Sequence, residues 1–240
     1  MRRLLFDLRY LSSAAALFSL EGIESDSLPV SGGTLDMYFI GHGTLMFTYG
    51  GQVIHVDPVS AEADYSKLPK ADLILVTHSH FDHLDPEAIR RIRQESTRVV
   101  LNTDAAAQLG EGEVMNNGEV RTVSGIAIEA VPAYNTSPGR DRFHPKGRDN
   151  GYLLTFAGKR VYVAGDTENH PQMMGLRDIT VAFLPMNQPY TMTPEQVAEA
   201  ARAIRPQILY PYHFGDTDTG RLVKLLEDVP EVEVRIRKLN

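Results

Sequence analysis

The chain has 240 residues, 42% hydrophobic and 23% charged, values that suit one large domain with a substantial core. Its net charge of −7 argues against a nucleic-acid backbone as the main partner, which normally demands a basic face, although a metal can supply positive charge locally. There is no cysteine, so disulfides and thiolate metal sites are excluded, and redox arguments leave the compartment open.

Arg2 and Arg3 precede an apolar run from Leu4 to Leu20, and Ala14 to Ala16 forms an A-x-A triplet, the outline of a signal peptide. Asp7 and Arg9 interrupt that run, and the triplet lies inside it. Leu4, Leu8, Leu11 and Ala15 share a helical face, so the expectation is a docked amphipathic helix on a cytoplasmic protein, with export as the alternative. A polar connector follows over 24–33, dividing the chain into an N-terminal helix and connector, 1–33, and a main domain, 34–240. No stretch approaches the ~18 apolar residues of a membrane span.

In the main domain, Leu35 to Ile40 reads as a strand, and Leu45 to Tyr49 and Gln52 to Val56 as a hairpin about Gly50-Gly51. His55 stands mid-strand and is expected to face the polar side in a structural role. Leu73 to Thr77 is a strand; Asp85 then caps a helix that Pro86 begins. Arg98 to Leu101, Glu119 to Val123 and Ile126 to Val131 are shorter strands. Tyr152 to Phe156 and Arg160 to Val163 form a second hairpin about Gly158, and Val181 to Leu184 is a buried strand. Thr193 caps a helix running from Pro194 to about Ile204. Ile208 to Tyr212 and Glu231 to Ile236 complete the strands. A hairpin region followed by mixed β/α elements occurs twice, which predicts two similar halves.

The most informative segment is His78-Ser79-His80-Phe81-Asp82-His83, which follows the apolar run Leu73 to Val76. It concentrates three of the eight histidines of the chain within six residues. Alternate side chains of an extended segment share a face, so His78, His80 and Asp82 point together while His83, after a turn, approaches from another direction. Imidazole and carboxylate donors suit zinc, and also iron or manganese. Two later strands also end in ligand types, Lys159 to Ala164 in Gly165-Asp166-Thr167 and Gln207 to Tyr212 in His213. Open sheets gather functional groups at the carboxyl ends of strands. The expected metal set is therefore His78, His80, Asp82, His83, Asp166 and His213, serving two adjacent ions with one carboxylate between them.

Together with Gly41-His42-Gly43, Val56-Asp57-Pro58 and Met192-Thr193-Pro194-Glu195, these motifs resemble the metallo-β-lactamase superfamily of metal-dependent hydrolases over about residues 34–215. The nearer likeness is to the branch that includes ascorbate-6-phosphate lactonase-like proteins. The resemblance implies an α/β fold, a four-layer αββα sandwich with the metals at one edge. It also implies that His78, His80 and an additional histidine hold one ion, that Asp82, His83 and His213 hold the other, and that Asp166 bridges. The chain departs from the family pattern at the additional histidine. Ala127 to Val131 leads into Pro132-Ala133-Tyr134-Asn135, with no histidine. His144, later in the same loop, can fill that place; otherwise Asn135 donates a carbonyl oxygen, or water takes it. One or two ions, and Zn2+, Mn2+ or Fe2+, stay open at this point.

The segment from Pro132 to Asn150 lacks periodicity and carries Arg140, Arg142, His144, Lys146 and Arg148. It is expected either to be a flap whose cations attract an anionic substrate, or a solvated loop offset by Asp141 and Asp149. Tyr134, Asn187 and Tyr190 are candidate pocket residues. His42 lines the pocket or shapes its turn, Asp57 is a candidate hydrogen-bond partner of a ligating histidine, and His170 falls in a polar turn. The chemistry expected is hydrolysis of a small molecule (ester, lactone, amide or phosphodiester) by metal-bound hydroxide, with Asp82 and His144 as catalytic candidates. No G-x-S-x-G nucleophile motif is present. A non-catalytic metal-binding module and an iron-containing redox protein are the alternatives; the oligomeric state is not encoded legibly.

Overall fold

A computed structural model describes residue 20 and residues 22–240; the expected N-terminal helix falls outside them. Strands β1 (Glu24–Val30), β2 (Gly33–Gly41), β3 (Thr44–Tyr49), β4 (Gln52–Val56), β5 (Leu73–Leu75), β6 (Arg98–Leu101) and β7 (Glu113–Val114) form one sheet, in chain order. Strands β8 (Val120–Val123), β9 (Ile126–Ala133), β10 (Asp149–Phe156), β11 (Lys159–Val163), β12 (Ile179–Pro185), β13 (Ile208–Tyr212) and β14 (Glu233–Val234) form the other, again in chain order. In the first sheet β1 to β4 pair antiparallel and β4 to β7 parallel. The second repeats this, antiparallel from β8 to β11 and parallel from β11 to β14. These are the two halves that the alternation of hairpins and mixed elements predicts.

Among the described residues, five helices cover the sheets: α1 (Pro86–Ile92), α2 (Thr103–Leu109), α3 (Pro171–Met174), α4 (Pro194–Ile204) and α5 (Thr219–Leu225). Asp85 caps α1 by accepting from the backbone N–H groups of Glu87 and Ala88 at 2.8 and 3.3 Å. Thr193 and Gln196 form a reciprocal capping box at α4. Ala88, Ile89 and Ile92 of α1 and Ala105 of α2 pack on Ile74, Val76, Val99 and Leu101 of the first sheet. Val197, Ala201 and Ile204 of α4 join Leu222 of α5 in the core of the second half. The result is the four-layer αββα sandwich expected from the sequence.

The inner layer is aromatic. Phe183 of β12, wholly buried, lies with its ring centroid 6.2 Å from Phe39 of β2 and 6.0 Å from Phe47 of β3, joining the two sheets. Truncating it opens a cavity that close-packed neighbours cannot fill. We expect Phe183→Ala to destabilise the protein by about 3–5 kcal/mol in chemical denaturation. A loss below about 1 kcal/mol would mean that the sheets close over the gap.

The sequence expectations need correction in three places. The segment expected as a polar connector contains β1, paired antiparallel with β2 from Glu24↔Phe39 to Val30↔Gly33. Its polar composition reflects an edge strand with no fully buried residue. Helices α2, α3 and α5 span 7, 4 and 7 residues, too short to print a readable helical period. His55 does not face a polar side; it is wholly buried, with Nε2 3.1 Å from the Pro69 carbonyl oxygen. Strand β4 lies between β3 and β5, and Tyr65 packs 6.0 Å from the His55 ring. Burial holds the His55 pKa down to about 4, so the ring is neutral. Among the described residues, no helix is long and apolar enough to cross a membrane.

Candidate metal centre

The carboxyl ends of β4, β5, β11 and β13 deliver their residues to one edge of the sandwich. After β5, the chain runs through Thr77 and His78 into a turn, where the N–H groups of His83 and Leu84 both donate to the His80 carbonyl, at 3.0 and 2.8 Å. That turn, stopped by the Asp85 cap of α1, brings His83 back toward His78. After β11, Gly165 has φ +66°, and a Cβ there would meet the Asn150 carbonyl oxygen at 2.8 Å and Thr77 Cβ at 3.1 Å. Only glycine fits the turn that presents Asp166. After β13, His213 has φ +48° and its N–H donates to the His42 carbonyl at 3.1 Å.

Three groups of potential donors result, each with its atoms within 4.8 Å of one another: His78, His80 and His144; His78, His83 and Asp166; and His42, Asp82 and His213. Asp166 stands among them. Its Oδ1 is 3.4 Å from His83 Nε2, and its Oδ2 is 3.5 Å from His144 Nε2 and 3.3 Å from His213 Nε2. Asp82 Oδ2 is 3.6 Å from His213 Nε2.

A ring of outer partners orients the imidazoles. Asp57 accepts from the Thr77 N–H at 2.7 Å and the Thr77 hydroxyl at 2.6 Å, and its Oδ2 is 2.8 Å from His83 Nδ1. The Thr77 hydroxyl is 2.9 Å from His78 Nδ1. Since that hydroxyl donates to Asp57, it accepts from His78. Asp149 Oδ2 is 3.0 Å from His144 Nδ1. Each Nδ1 thus carries a proton, assigned from the network, and each Nε2 faces inward.

The charges follow from this packing. Burial, reinforced by neighbouring histidines, holds His78 well below its usual range, so it is neutral. Burial opposes protonation of His83 as well, but Asp166 and Asp57 outweigh it and raise the pKa to about 9. Asp82 and Asp166 are held below the usual carboxylate range: burial opposes this, and the surrounding histidines prevail.

Nε2 of His78, His83 and His213 and Oδ1 of Asp166 are buried and have no hydrogen-bond partner among the described residues. An orphaned buried polar atom costs about 1–3 kcal/mol, and here four converge on one place. Nitrogen and oxygen donors so disposed fit a divalent cation such as zinc, manganese or iron.

The structure brings His144 into one donor group with His78 and His80. The Asn135 Nδ2 donates to the Tyr190 and Arg140 carbonyls at 2.7 and 3.2 Å and braces the loop, while its Oδ1 is buried without a hydrogen-bond partner among the described residues. Tyr134 does not line the cleft. Its hydroxyl donates to Gln172 Oε1 at 2.8 Å and its ring stacks on His170, 4.3 Å away. His170 is no open polar turn but the buried cap of α3, accepting from the Met173 N–H at 3.2 Å.

Asn187 and Tyr190, with His42, do line a cleft of about 370 Å³ over the centre. Phe81 and Phe143 complete its walls. Sequence reading missed both, though an apolar residue inside H-x-H-x-D-H, now 86% exposed, was the available signal. It also missed Asp149 and Glu168 as organising carboxylates. Buried Glu168 accepts from the N–H groups of Thr136 and Ser137 at 2.8 and 2.6 Å and from Arg140 at 3.2 Å. Arg148 donates to both Asp149 oxygens, at 2.7 and 2.9 Å. Of the loop cations expected to attract an anionic substrate, Arg140 and Arg148 are thus held by internal carboxylates, while Arg142 lies over the Phe143 ring, 4.7 Å from its centroid, and Lys146 over the Tyr134 ring, at 5.4 Å. A larger cleft, about 740 Å³, lies at the opposite ends of β11 to β13 beside Lys159, Arg177, Arg202 and Arg205, far from these donors.

Paired mixed sheets with histidine and aspartate gathered at their strand ends define an αββα protein with a candidate metal centre. Residues 36–213 match the beta-lactamase superfamily domain, and the chain belongs to the metallo-β-lactamase superfamily. It is 31% identical over 215 residues to a UPF0173 metal-dependent hydrolase of Thermococcus kodakarensis, covering 82% of this chain and 94% of that one. A crystal structure from Parabacteroides distasonis, provisionally named a metal-dependent hydrolase, superposes with a TM-score of 0.89 at 54% identity, over 91% of this chain and 100% of that one. Igni18, a metallo hydrolase of Ignicoccus hospitalis, superposes with a TM-score of 0.71 at 26% identity, over 86% and 96% of the two chains.

Proposed function

We propose that the protein hydrolyses a small molecule bearing an apolar or aryl group at a metal centre whose first position suits zinc, with an ester, lactone or amide as the bond cleaved. The observation that carries this reading is the convergence of unpartnered buried donors on His78, His83, His213 and Asp166. His78 and His144 offer Nε2 to the first ion. His80 offers Nδ1, since its Nε2 lies 3.5 Å from Arg148 Nη2. Asp82, His83 and His213 serve the second ion, and Asp166 stands between the two. Zinc held there would supply a coordinated water with a pKa of about 7 and a Lewis acid for the substrate oxygen. His144 is a ligand in this scheme, not a proton carrier, because Asp149 engages its other nitrogen. Asp82, 30% exposed toward the cleft, orients the attacking water.

The substrate class comes from the cleft. Phe81, Phe143 and Tyr190 offer apolar contact, while Arg140 and Arg148 are paired with Glu168 and Asp149. An aryl or acyl group against these rings suits the walls better than a phosphodiester. A cytoplasmic location belongs to the same proposal, supported by the charges of Asp7 and Arg9 within the N-terminal apolar run.

The test is elemental analysis combined with a panel of aryl esters, lactones, amides and a diaryl phosphodiester, assayed on metal-loaded and chelated protein. Chelator-sensitive turnover of a carbonyl substrate is expected. Protein that purifies and reloads without metal would sink the reading, and metal binding without turnover would favour a binding module. For the responsive substrate, Phe81→Ala and Tyr190→Ala should raise KM several-fold with kcat changed less, because they remove contact made equally in ground and transition states. An equal fall in kcat would place these rings at the reacting group instead.

A further inference from the structure

We propose that His42 is a ligand of the second metal position, and that this position takes a metal of coordination number five or six, Mn2+ or Fe2+, beside a first position suited to zinc. The inference rests on the metal-centre reading above and extends it to a residue outside the superfamily's donor pattern given earlier.

The first observation is proximity. His42 Nε2 lies 3.5 Å from Asp82 Oδ2, and its ring centroid is 3.7 Å from that of His213. Its donor atom falls within the same 4.8 Å group as Asp82 and His213. The second observation is how the backbone presents it. His42 has φ +47°, a conformation that costs a non-glycine residue free energy and that clusters at functional sites. The turn is pressed onto the centre: a Cβ at the next residue, Gly43, would meet His83 Cε1 at 2.7 Å. It is also fixed there, because the His42 carbonyl accepts from the His213 N–H.

The two positions then differ in kind. The first has three imidazoles, His78, His80 and His144, with the shared Asp166, which matches zinc's preference for four ligands. At the second, His42, Asp82 and His213 form one donor group, and His83 and Asp166 of the neighbouring group adjoin it, Asp166 Oδ2 3.3 Å from His213 Nε2 and Oδ1 3.4 Å from His83 Nε2, so that up to five nitrogen and oxygen donors are available before any water. Such crowding suits metals that accept five or six mixed nitrogen and oxygen donors more readily than zinc in a four-ligand site.

The test uses Mn2+ and Co2+ titrations of metal-free wild type, His42→Gly and His42→Asn. Glycine accepts the positive φ without strain and asparagine tolerates it, so both variants keep the turn and lose only the imidazole. In the wild type, Co2+ at the second position should give the weak visible absorption of five- or six-coordination. In both variants that absorption should intensify toward the four-coordinate form, and affinity for the second Mn2+ should fall at least about tenfold. Titrations and spectra that match wild type would overturn the inference and leave His42 a turn residue. Wild-type protein that takes up neither ion would overturn the metal-centre reading and this inference with it.

Discussion

His144→Ala is expected to lower metal content and hydrolytic turnover together, leaving the fold intact. His144 Nε2 lies 3.5 Å from Asp166 Oδ2, in one donor group with His78 and His80. Losing a partner that merely orients a ligand costs about 10–100-fold in metal affinity, and losing a donor should cost at least as much. The aromatic core lies between the sheets and does not rely on this residue for burial, so circular dichroism should hardly change. Thermal stability should still respond. A ligand present at a thousand times its Kd contributes about 4 kcal/mol to the folded state, and that contribution disappears with the metal. Arg142→Ala is the control: it lies in the same loop, over the Phe143 ring, and removes neither a donor nor a donor's partner, so metal content should fall far less. Wild-type metal stoichiometry in His144→Ala would return the residue to an acid–base role.

The second large effect concerns pH. In metal-free protein His83 is protonated up to about pH 9, held by Asp57 and Asp166. A metal must displace that proton, so affinity should rise about tenfold per pH unit from neutrality to about 9 and then level. The stability of the metal-free form runs the other way. A folded-state pKa raised above the unfolded value of ~6.5 contributes stability fully present below that value and lost as pH rises through the folded one. Metal-free protein should therefore become less stable between about pH 6.5 and 9, while metal stabilises it increasingly over the same window. Asp57→Asn removes one of the two anions beside His83 and should shift both profiles to lower pH. Calorimetric titration at several pH values in buffers of different ionisation enthalpy reads the released proton directly. Release of no proton near pH 7 would contradict this account.

The fold was legible where the chain repeats a strong local signal. Gly50-Gly51, the Asp85-Pro86 cap and the Thr193-Pro194 cap are short-range devices whose chemistry involves neighbouring residues, and each appears where its residues predict it. The central donors were legible because six residues hold four of them. His144 was harder to place because it reaches the centre from a long loop, and what aims it, Asp149, is visible only in three dimensions. The same limit hid the engagement of Arg140 by Glu168, 28 residues away in the chain. Charge in a loop reads as solvent-facing until its partner is known. His55 misled for a related reason: alternation along β4 gives no warning of the segment carrying Pro69 and Tyr65 that seals its outer face.

The two sequential sheets also divide ownership of the centre. Asp57, His78, His80, Asp82 and His83 come from the first half, while His144, Asp166 and His213 come from the second. Neither leaf of the sandwich owns a complete set of donors. A bound ion is therefore a rivet between the leaves at their open end, as Phe183 is a wedge between them inside. Any slippage of one leaf against the other pulls donors apart, so the grip on the ion gauges how faithfully the halves stay in register.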